Sequence, residues 1–235
     1  DIVTKQILQT AGKVIAVELD QKLAISLEQE MQNPSFTVIH GDAREVDVNA
    51  ISSNMQYKLV ANLPYYAASP ILRHFLESSN HPTQVVAMLQ REVAQNIVAK
   101  PGNMSLMSIG IQLYGKPTIV TYVPPSAFYP KPKVTSAIVH INVYNEPLLK
   151  LDNRKDFFKI VRAGFSAPRK QLHNSLSHGM QISQKQAMLM IEKAYIAPTR
   201  RPATLTLDEW GSLYDVTRKE DIFGNRRPSQ NKPKP

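Results

Sequence analysis

The sequence predicts an α/β fold, a Rossmann-like, doubly wound sheet followed by a small all-helical domain. Three observations carry this. Up to about residue 147, short β-branched runs alternate with helical spacing, the pattern of a parallel sheet with crossover helices. Beyond Pro147 only helical spacing remains. Charge divides at the same place. Residues 1–147 hold 11 Lys+Arg and 11 Asp+Glu, whereas residues 148–235 hold 17 and 8, so the whole net charge of +9 lies in the second part.

The elements run in order along the chain. "AGKVIAVELD" is a strand ending in two carboxylates, Glu18 and Asp20, and "QKLAISLEQEMQ" is the helix after it. "FTVIHGDA" is a second strand, ending at Asp42, and "YKLVAN" is a third, ending at Asn62. "PILRHFLES" is a helix, "QVVAMLQ" a fourth strand, and "REVAQNIVA" and "LMSIGIQLYG" are helices. "PTIVTYV" and "SAIVHINVY" are two late strands, separated by the stiff, proline-rich "PPSAFYPKPKVT". In the second part, "RKDFFKIVRAGF", "RKQLHNSLSHG", "SQKQAMLMIEKAYI" and "TLDEWGSLYDVTRK" are helical, punctuated by Gly179, Pro198 and Pro202. Thr206 or Thr204 starts the last of them. Trp210 reads as core. The polar, basic "GNRRPSQNKPKP" has the composition of a disordered tail. The expected division is 1–147, 148–222 and 223–235.

Composition narrows the function. The 235 residues include no cysteine, which removes disulfides, thiolate metal sites and thiol nucleophiles. The six histidines lack metal-ligand spacing, so no metal is expected. No apolar run approaches the roughly 18 residues of a membrane span, and no signal-peptide pattern precedes the first strand. The expectation is a cytoplasmic monomer with no membrane partner. A basic face suits a polyphosphate partner, and equally a solvated helical surface.

The strand ends carry the chemistry. In a doubly wound sheet the carboxyl ends of the strands form the ligand crevice. A carboxylate at Glu18 can accept two hydrogen bonds from a ribose diol, and one at Asp42 can accept from an exocyclic amine. Asp42 is equally suited to capping the next segment. The third strand breaks into "NLPYY", an amide, a proline and two tyrosines where a helix is about to begin.

Those residues carry a resemblance. "NLPYYAASPIL" resembles the Asn-Leu/Ile-Pro-Tyr motif of the S-adenosylmethionine-dependent ribosomal RNA adenine dimethyltransferases, and "AFYPKPKVTSAIV" resembles that family's Phe-x-Pro-x-Pro-x-Val-x-Ser loop. "VIAVELD", "VIHGDA" and "MLQREVAQNIVA" are similar to its cofactor strands and next helix. "FSAPRKQLHNSL" and "RPATLTLDEW" resemble the small-subunit branch, which dimethylates two adjacent adenines near the 3′ end of the RNA. The large-subunit branch, of macrolide-resistance type, and a non-catalytic RNA-binding assembly factor are the competing readings.

The resemblance implies roles. Glu18 binds the cofactor ribose, and Asp42 accepts from the cofactor's adenine amine with the Ala43 backbone nearby. Asn62 sits between the sulfonium and the target amine, and the Leu63 or Pro64 carbonyl is a second acceptor. Tyr65 and Phe128 stack on the target adenine, Tyr66 being structural. Arg169, Lys170, Arg200 and Arg201 are the candidates for contacting ribosomal RNA phosphates, although Arg169 equally suits a structural pair. One departure is large. The family opens with a strand and a Gly-x-Gly-x-Gly turn, whereas "DIVTKQILQTAGKVIAV" resembles only the residues after that turn. The expectation is a sheet that lacks a central strand and a weakened hold on the cofactor.

Overall fold

The computed structural model describes residues 2–64 and 67–220. The expected disordered tail, 223–235, lies outside the described residues, as do Tyr65 and Tyr66.

The strands form two sheets. β1 (Val14–Glu18) and β2 (Phe36–His40) pair in parallel, joined by the crossover helix α2 (Gln21–Glu30). Asp20 starts α2 by accepting the N–H groups of Lys22 at 2.8 Å and Leu23 at 3.1 Å, which satisfies donors the helix cannot use internally. The other four strands, β3 (Lys58–Asn62), β4 (Gln84–Gln90), β5 (Gly115–Val123) and β6 (Ser136–Val143), take the order β3-β4-β6-β5. No ladder joins the two sheets, so one edge each of β1 and β3 is open among the described residues.

The four-stranded sheet departs from the wholly parallel pattern. β3 and β4 are parallel, but β6 runs antiparallel to both β4 and β5. A chain needs a crossover, usually a helix, to return parallel. Residues 124–135 hold only the 3₁₀ turn Pro125–Ala127, so β6 comes straight back along β5. Two short helices also escaped the sequence pattern, α1 (Ile2–Leu8) and α3 (Val48–Ser52). Neither is long enough to show helical periodicity, and α3 rests on its Asp47 cap.

Alternation sorts the faces of this sheet. Val85, Ala87 and Leu89 of β4 share one face with Ala137, Val139 and Ile141 of β6, and all six are buried. Helices α4 (Ala68–Glu77), α5 (Arg91–Ile97) and α6 (Leu106–Gln112) bury Ile71, Leu72, Phe75, Leu76, Ala94, Ile97 and Ile109. Each large apolar side chain removed from water contributes about 1.5–3 kcal/mol. The opposite face is open: Val60 is 44% exposed and Val86, Met88 and Ile138 are half-buried.

Four helices follow, α7 (Arg154–Gly164), α8 (Leu172–Met180), α9 (Gln184–Lys193) and α10 (Leu207–Lys219). Thr206, not Thr204, caps α10, through a capping box with Glu209. Trp210 is fully buried, as the spacing predicts. Helices α7 and α8 meet closely at Gly179, where a Cβ would lie 2.5 Å from the Ala163 Cα. The sheet core and the helical core are one cluster. Arg73 of α4 stacks over Phe158 of α7 at 4.7 Å, and the Asn153 N–H donates to the Tyr214 hydroxyl at 3.0 Å. Among the described residues no helix is long and apolar enough to cross a membrane.

Candidate active site

β5 is antiparallel to β6, as β4 is, so β3, β4 and β5 all point their carboxyl ends to one edge of the sheet. Register places Asn62 beside Met88 there, with Gln90 and Val123 flanking Ser136. Asn62 is the last residue of β3 and is exposed, and its side-chain amide bonds no described residue. Leu63 is buried and anchors the turn by donating its N–H to the Met88 carbonyl at 3.3 Å. The Pro64 carbonyl accepts the Ala67 N–H at 3.0 Å, which folds the chain into α4. The Leu63 carbonyl accepts no hydrogen bond from a described residue. Of the two expected backbone acceptors, Leu63 is therefore the one that no described residue engages. Tyr65, the expected stacking partner, lies outside the described residues.

Phe128 follows the 3₁₀ turn and is half-buried on the same edge. Its loop is braced by Ala127 N–H to Pro124 carbonyl at 3.0 Å, by Phe128 N–H to Pro125 carbonyl at 3.2 Å, and by Arg91 N–H to Thr135 carbonyl at 2.9 Å. Prolines fix φ along the loop, so Phe128 is presented from a stiff mount.

The acids gather at the carboxyl end of the β1–β2 pair. The Gly41 N–H donates to the Glu18 carbonyl at 2.9 Å, which holds the two strand ends together. One Glu18 carboxylate oxygen accepts the Asp20 N–H at 2.9 Å, and no described residue binds the other. Asp42 is more heavily engaged. It accepts from the Arg44 backbone N–H at 2.8 Å, and the Arg44 guanidinium forks on to both of its oxygens. Those bonds hold its carboxyl down at about 2. Arg44, two residues on, was not among the expected site residues, though Asp-x-Arg is visible in the sequence. Ala43 is half-buried against the core.

No ladder links this acidic end to the Asn62 edge. Side chains link their flanking helices instead. His74 Nε2 lies 2.8 Å from the Val46 carbonyl, and since a carbonyl only accepts, that nitrogen carries the proton. The Ser79 hydroxyl donates to the Asn49 amide oxygen at 3.0 Å, and the Asn80 amide donates to the Ser52 hydroxyl at 2.6 Å and to the Met55 carbonyl at 3.1 Å.

The structure brings the basic candidates together. The Leu172 N–H donates to the Arg200 carbonyl at 2.7 Å, which sets the Arg169–Lys170 turn beside Arg200 and Arg201. Arg169, Lys170 and Arg201 are exposed. Arg200 is engaged internally. Its guanidinium forks on to Glu209 and donates to the Thr204 carbonyl at 2.5 Å. The Ala203 carbonyl also accepts from Gly102 at 2.8 Å and Met104 at 3.0 Å, so the turn that begins at Lys100 joins this surface. Lys100 carries no sequence signal for this surface, because only the tertiary fold brings it here.

Among the described residues, the Asn62 edge offers an amide oxygen and a carbonyl without a donor, with no strong base and no group able to hold a metal. Such an edge can receive and orient an amine.

The family model for ribosomal RNA adenine dimethylase matches residues 1–217. Proteins named ribosomal RNA small subunit methyltransferase A are similar. One from Dehalococcoides mccartyi is 42% identical over 214 residues, 90% of this chain and 74% of its own. One from Clostridium perfringens is 40% identical over 220 residues, 92% of this chain and 77% of its own. A crystal structure of a dimethyladenosine transferase from Plasmodium falciparum superposes with a TM-score of 0.78 at 24% identity, covering 94% of this chain and 87% of that one. The 23S rRNA methyltransferase ErmE gives a TM-score of 0.68 at 21% identity over 92% of this chain and 86% of its own. At those identities the two structures speak for the Rossmann-like methyltransferase fold alone. The family match and the relatives go further: the chain belongs to the ribosomal RNA adenine dimethylase family.

Proposed function

We propose that the protein transfers methyl groups from S-adenosylmethionine to N6 of two adjacent adenines near the 3′ end of small-subunit, 16S-type ribosomal RNA, giving N6-dimethyladenine during subunit maturation. The observation that carries this is the pair of acceptors at the end of β3 that no described residue engages, the Asn62 amide and the Leu63 carbonyl. The relatives named for the small subunit, 38–44% identical, support the choice of branch.

The residues present suit the cofactor. Glu18 has an oxygen that no described residue binds, and a ribose hydroxyl suits it. Asp42 is ionised well below neutrality, and a carboxylate has more lone pairs than Arg44 uses. Ala43 would lie alongside the cofactor's adenine. The cofactor, when bound, supplies an electrophilic methyl group.

This chain's residues act on the amine. An adenine N6 lone pair is delocalised into the ring and is a poor nucleophile. Asn62 and Leu63 accept its two N–H bonds, which favours a pyramidal nitrogen and aims the lone pair. Tyr65 and Phe128 hold the unstacked base, each such contact contributing about 1–3 kcal/mol. The remainder is orientation, which supplies several kcal/mol. No strong base is needed, because the methylated nitrogen is cationic and its proton acidic.

Residues 1–147 are the methyltransferase domain in this reading. Residues 148–222 dock the small subunit through phosphate contacts from Arg169, Lys170 and Arg201, with Arg200 bracing their mount. The protein acts as a cytoplasmic monomer without metal. Primer-extension mapping on small subunits from a strain lacking the enzyme, before and after treatment with the protein, tests the assignment. Two adjacent stops near the 3′ end of the small-subunit RNA are expected, and stops in large-subunit RNA instead would overturn it.

A further inference from the structure

The edge that carries Asn62 and Phe128 holds a cation that the chemistry above leaves unused. Arg91 is the first residue of α5, directly after β4, and is exposed. Its guanidinium lies 5.3 Å from the centre of the Tyr122 ring. It pairs with no carboxylate among the described residues. Local structure does not explain an arginine here, since a cation at the start of a helix opposes the helix dipole.

Its partner is placed by a defect in the sheet. β5 pairs regularly with β6 as far as Ile119 opposite Val139, but Thr121 then stands opposite Ile138, so Val120 is an inserted residue. Without that bulge Tyr122 would oppose Ser136 and point to the open face. With it, Tyr122 opposes Ala137 and shares the face of Leu89 and α5. Bulges re-aim side chains in this way beside functional sites. Here the bulge lays an aromatic ring under Arg91, while Tyr122 stays 45% exposed. A guanidinium stacked on one face keeps its N–H fork free at the edge, the geometry that suits a phosphate.

The surroundings select the occupant. Arg91 N–H bonds Thr135, so the guanidinium sits at the return of the loop that carries Phe128. Lys131 and Lys133 of that loop are exposed, against one exposed carboxylate, Glu92, next to Arg91. Any strand that delivers an adenine to Asn62 and Phe128 must run along this edge. We propose that Arg91, held over Tyr122, is a phosphate anchor for the RNA strand carrying the target adenine, separate from the docking surface on the C-terminal helices. This rests on the ribosomal RNA reading above.

The test uses Arg91→Ala, Arg91→Lys, Tyr122→Phe and Tyr122→Leu, with small subunits as substrate. Arg91→Ala is expected to lower kcat/KM at least tenfold and to flatten the slope of log binding constant against log salt by about 0.7, the loss of one single-strand phosphate contact. Arg91→Lys keeps the charge and the slope but loses the fork, and falls between. Tyr122→Phe behaves as the parent. Tyr122→Leu lowers kcat/KM with the slope kept, since it only positions the guanidinium. Thermal midpoint and S-adenosylmethionine affinity stay at parental values throughout. Arg91→Ala with parental kcat/KM and parental slope overturns the anchor. A parent enzyme that methylates no small-subunit RNA overturns the functional reading instead, and the salt slope of RNA binding then still decides whether Arg91 meets a phosphate.

Discussion

The Arg200 guanidinium forks on to the Glu209 carboxylate, and Glu209 also accepts the Thr206 N–H at 2.8 Å. One carboxylate thus closes the capping box of α10 and fixes the turn that presents Arg201. Arg200 is half-buried and so braces the basic surface. Arg200→Ala should cost about 1–3 kcal/mol of stability, because it leaves Glu209 without its charged partner. Urea unfolding checks this. The triple replacement of Arg169, Lys170 and Arg201 by Ala should leave stability alone and flatten the salt slope of subunit binding by roughly 2–3. A parental slope in that variant would show that the subunit docks elsewhere.

The same clamp sets a pH dependence. Burial works against the Glu209 carboxylate, but the Arg200 and Thr206 bonds outweigh it and leave its pKa below the ordinary 4.5. A carboxyl with a lowered folded pKa contributes stability above its unfolded value and loses it as pH falls through the folded value. The thermal midpoint should therefore drop more steeply below about pH 4.5 in the parent than in Glu209→Gln. Parallel curves would mean that the pair contributes nothing.

Much of this was legible in the sequence because periodicity records burial. The strand "QVVAMLQ" is β4 to the residue, and "NLP" stands at the sheet edge because a strand must end where Pro64 begins a turn. Interactions that depend on tertiary meeting were not legible. Nothing in "RRPATLTLDEW" says that Arg200 turns inward to Glu209 while Arg201 stays in water. Nothing in "PTIVTYV" marks Val120 as a bulge, since a single inserted residue leaves the apolar pattern readable in either register. The antiparallel return of β6 was hidden for a similar reason, because strand direction depends on the connection and not on the strand.

Gly179 permits the close approach of α7 and α8. A Cβ there would stand 2.5 Å from the Ala163 Cα and 2.7 Å from its carbonyl oxygen. Backbone cannot rotate aside as a side chain can, so the helices must separate. Gly179→Ala should cost about 1–3 kcal/mol or more, read as a lower urea midpoint. Gly12→Ala, with nothing within 4 Å of the added methyl, is the control.

Glu18 and Asp42 should differ as cofactor ligands. Glu18 keeps a free oxygen, whereas Asp42 also organises its own turn through Arg44. Glu18→Ala is expected to weaken S-adenosylmethionine binding at least tenfold with unchanged thermal midpoint. Asp42→Ala should weaken it and lower the midpoint as well, and subunit binding should survive both. Calorimetry giving parental cofactor affinity in both variants would contradict the placement of the cofactor at these strand ends.

Asn62 carries the sharpest expectation. It ends β3 with its amide engaged by no described residue, while Leu63 buries beneath it and fixes the backbone. Replacing Asn62 removes an acceptor from the reacting amine but nothing from the core, so Asn62→Ala should fold as the parent does. Methyl transfer should fall by about 100-fold or more, because the lost interaction is made with the amine at the reacting geometry. The fall should appear in kcat, with KM for the subunit little changed, since phosphate contacts set that affinity. Asn62→Asp discriminates further. A carboxylate keeps the acceptor and adds a charge, so it should retain more activity than Asn62→Ala. Activity of Asn62→Ala within a few-fold of the parent on small subunits would remove Asn62 from the catalytic site.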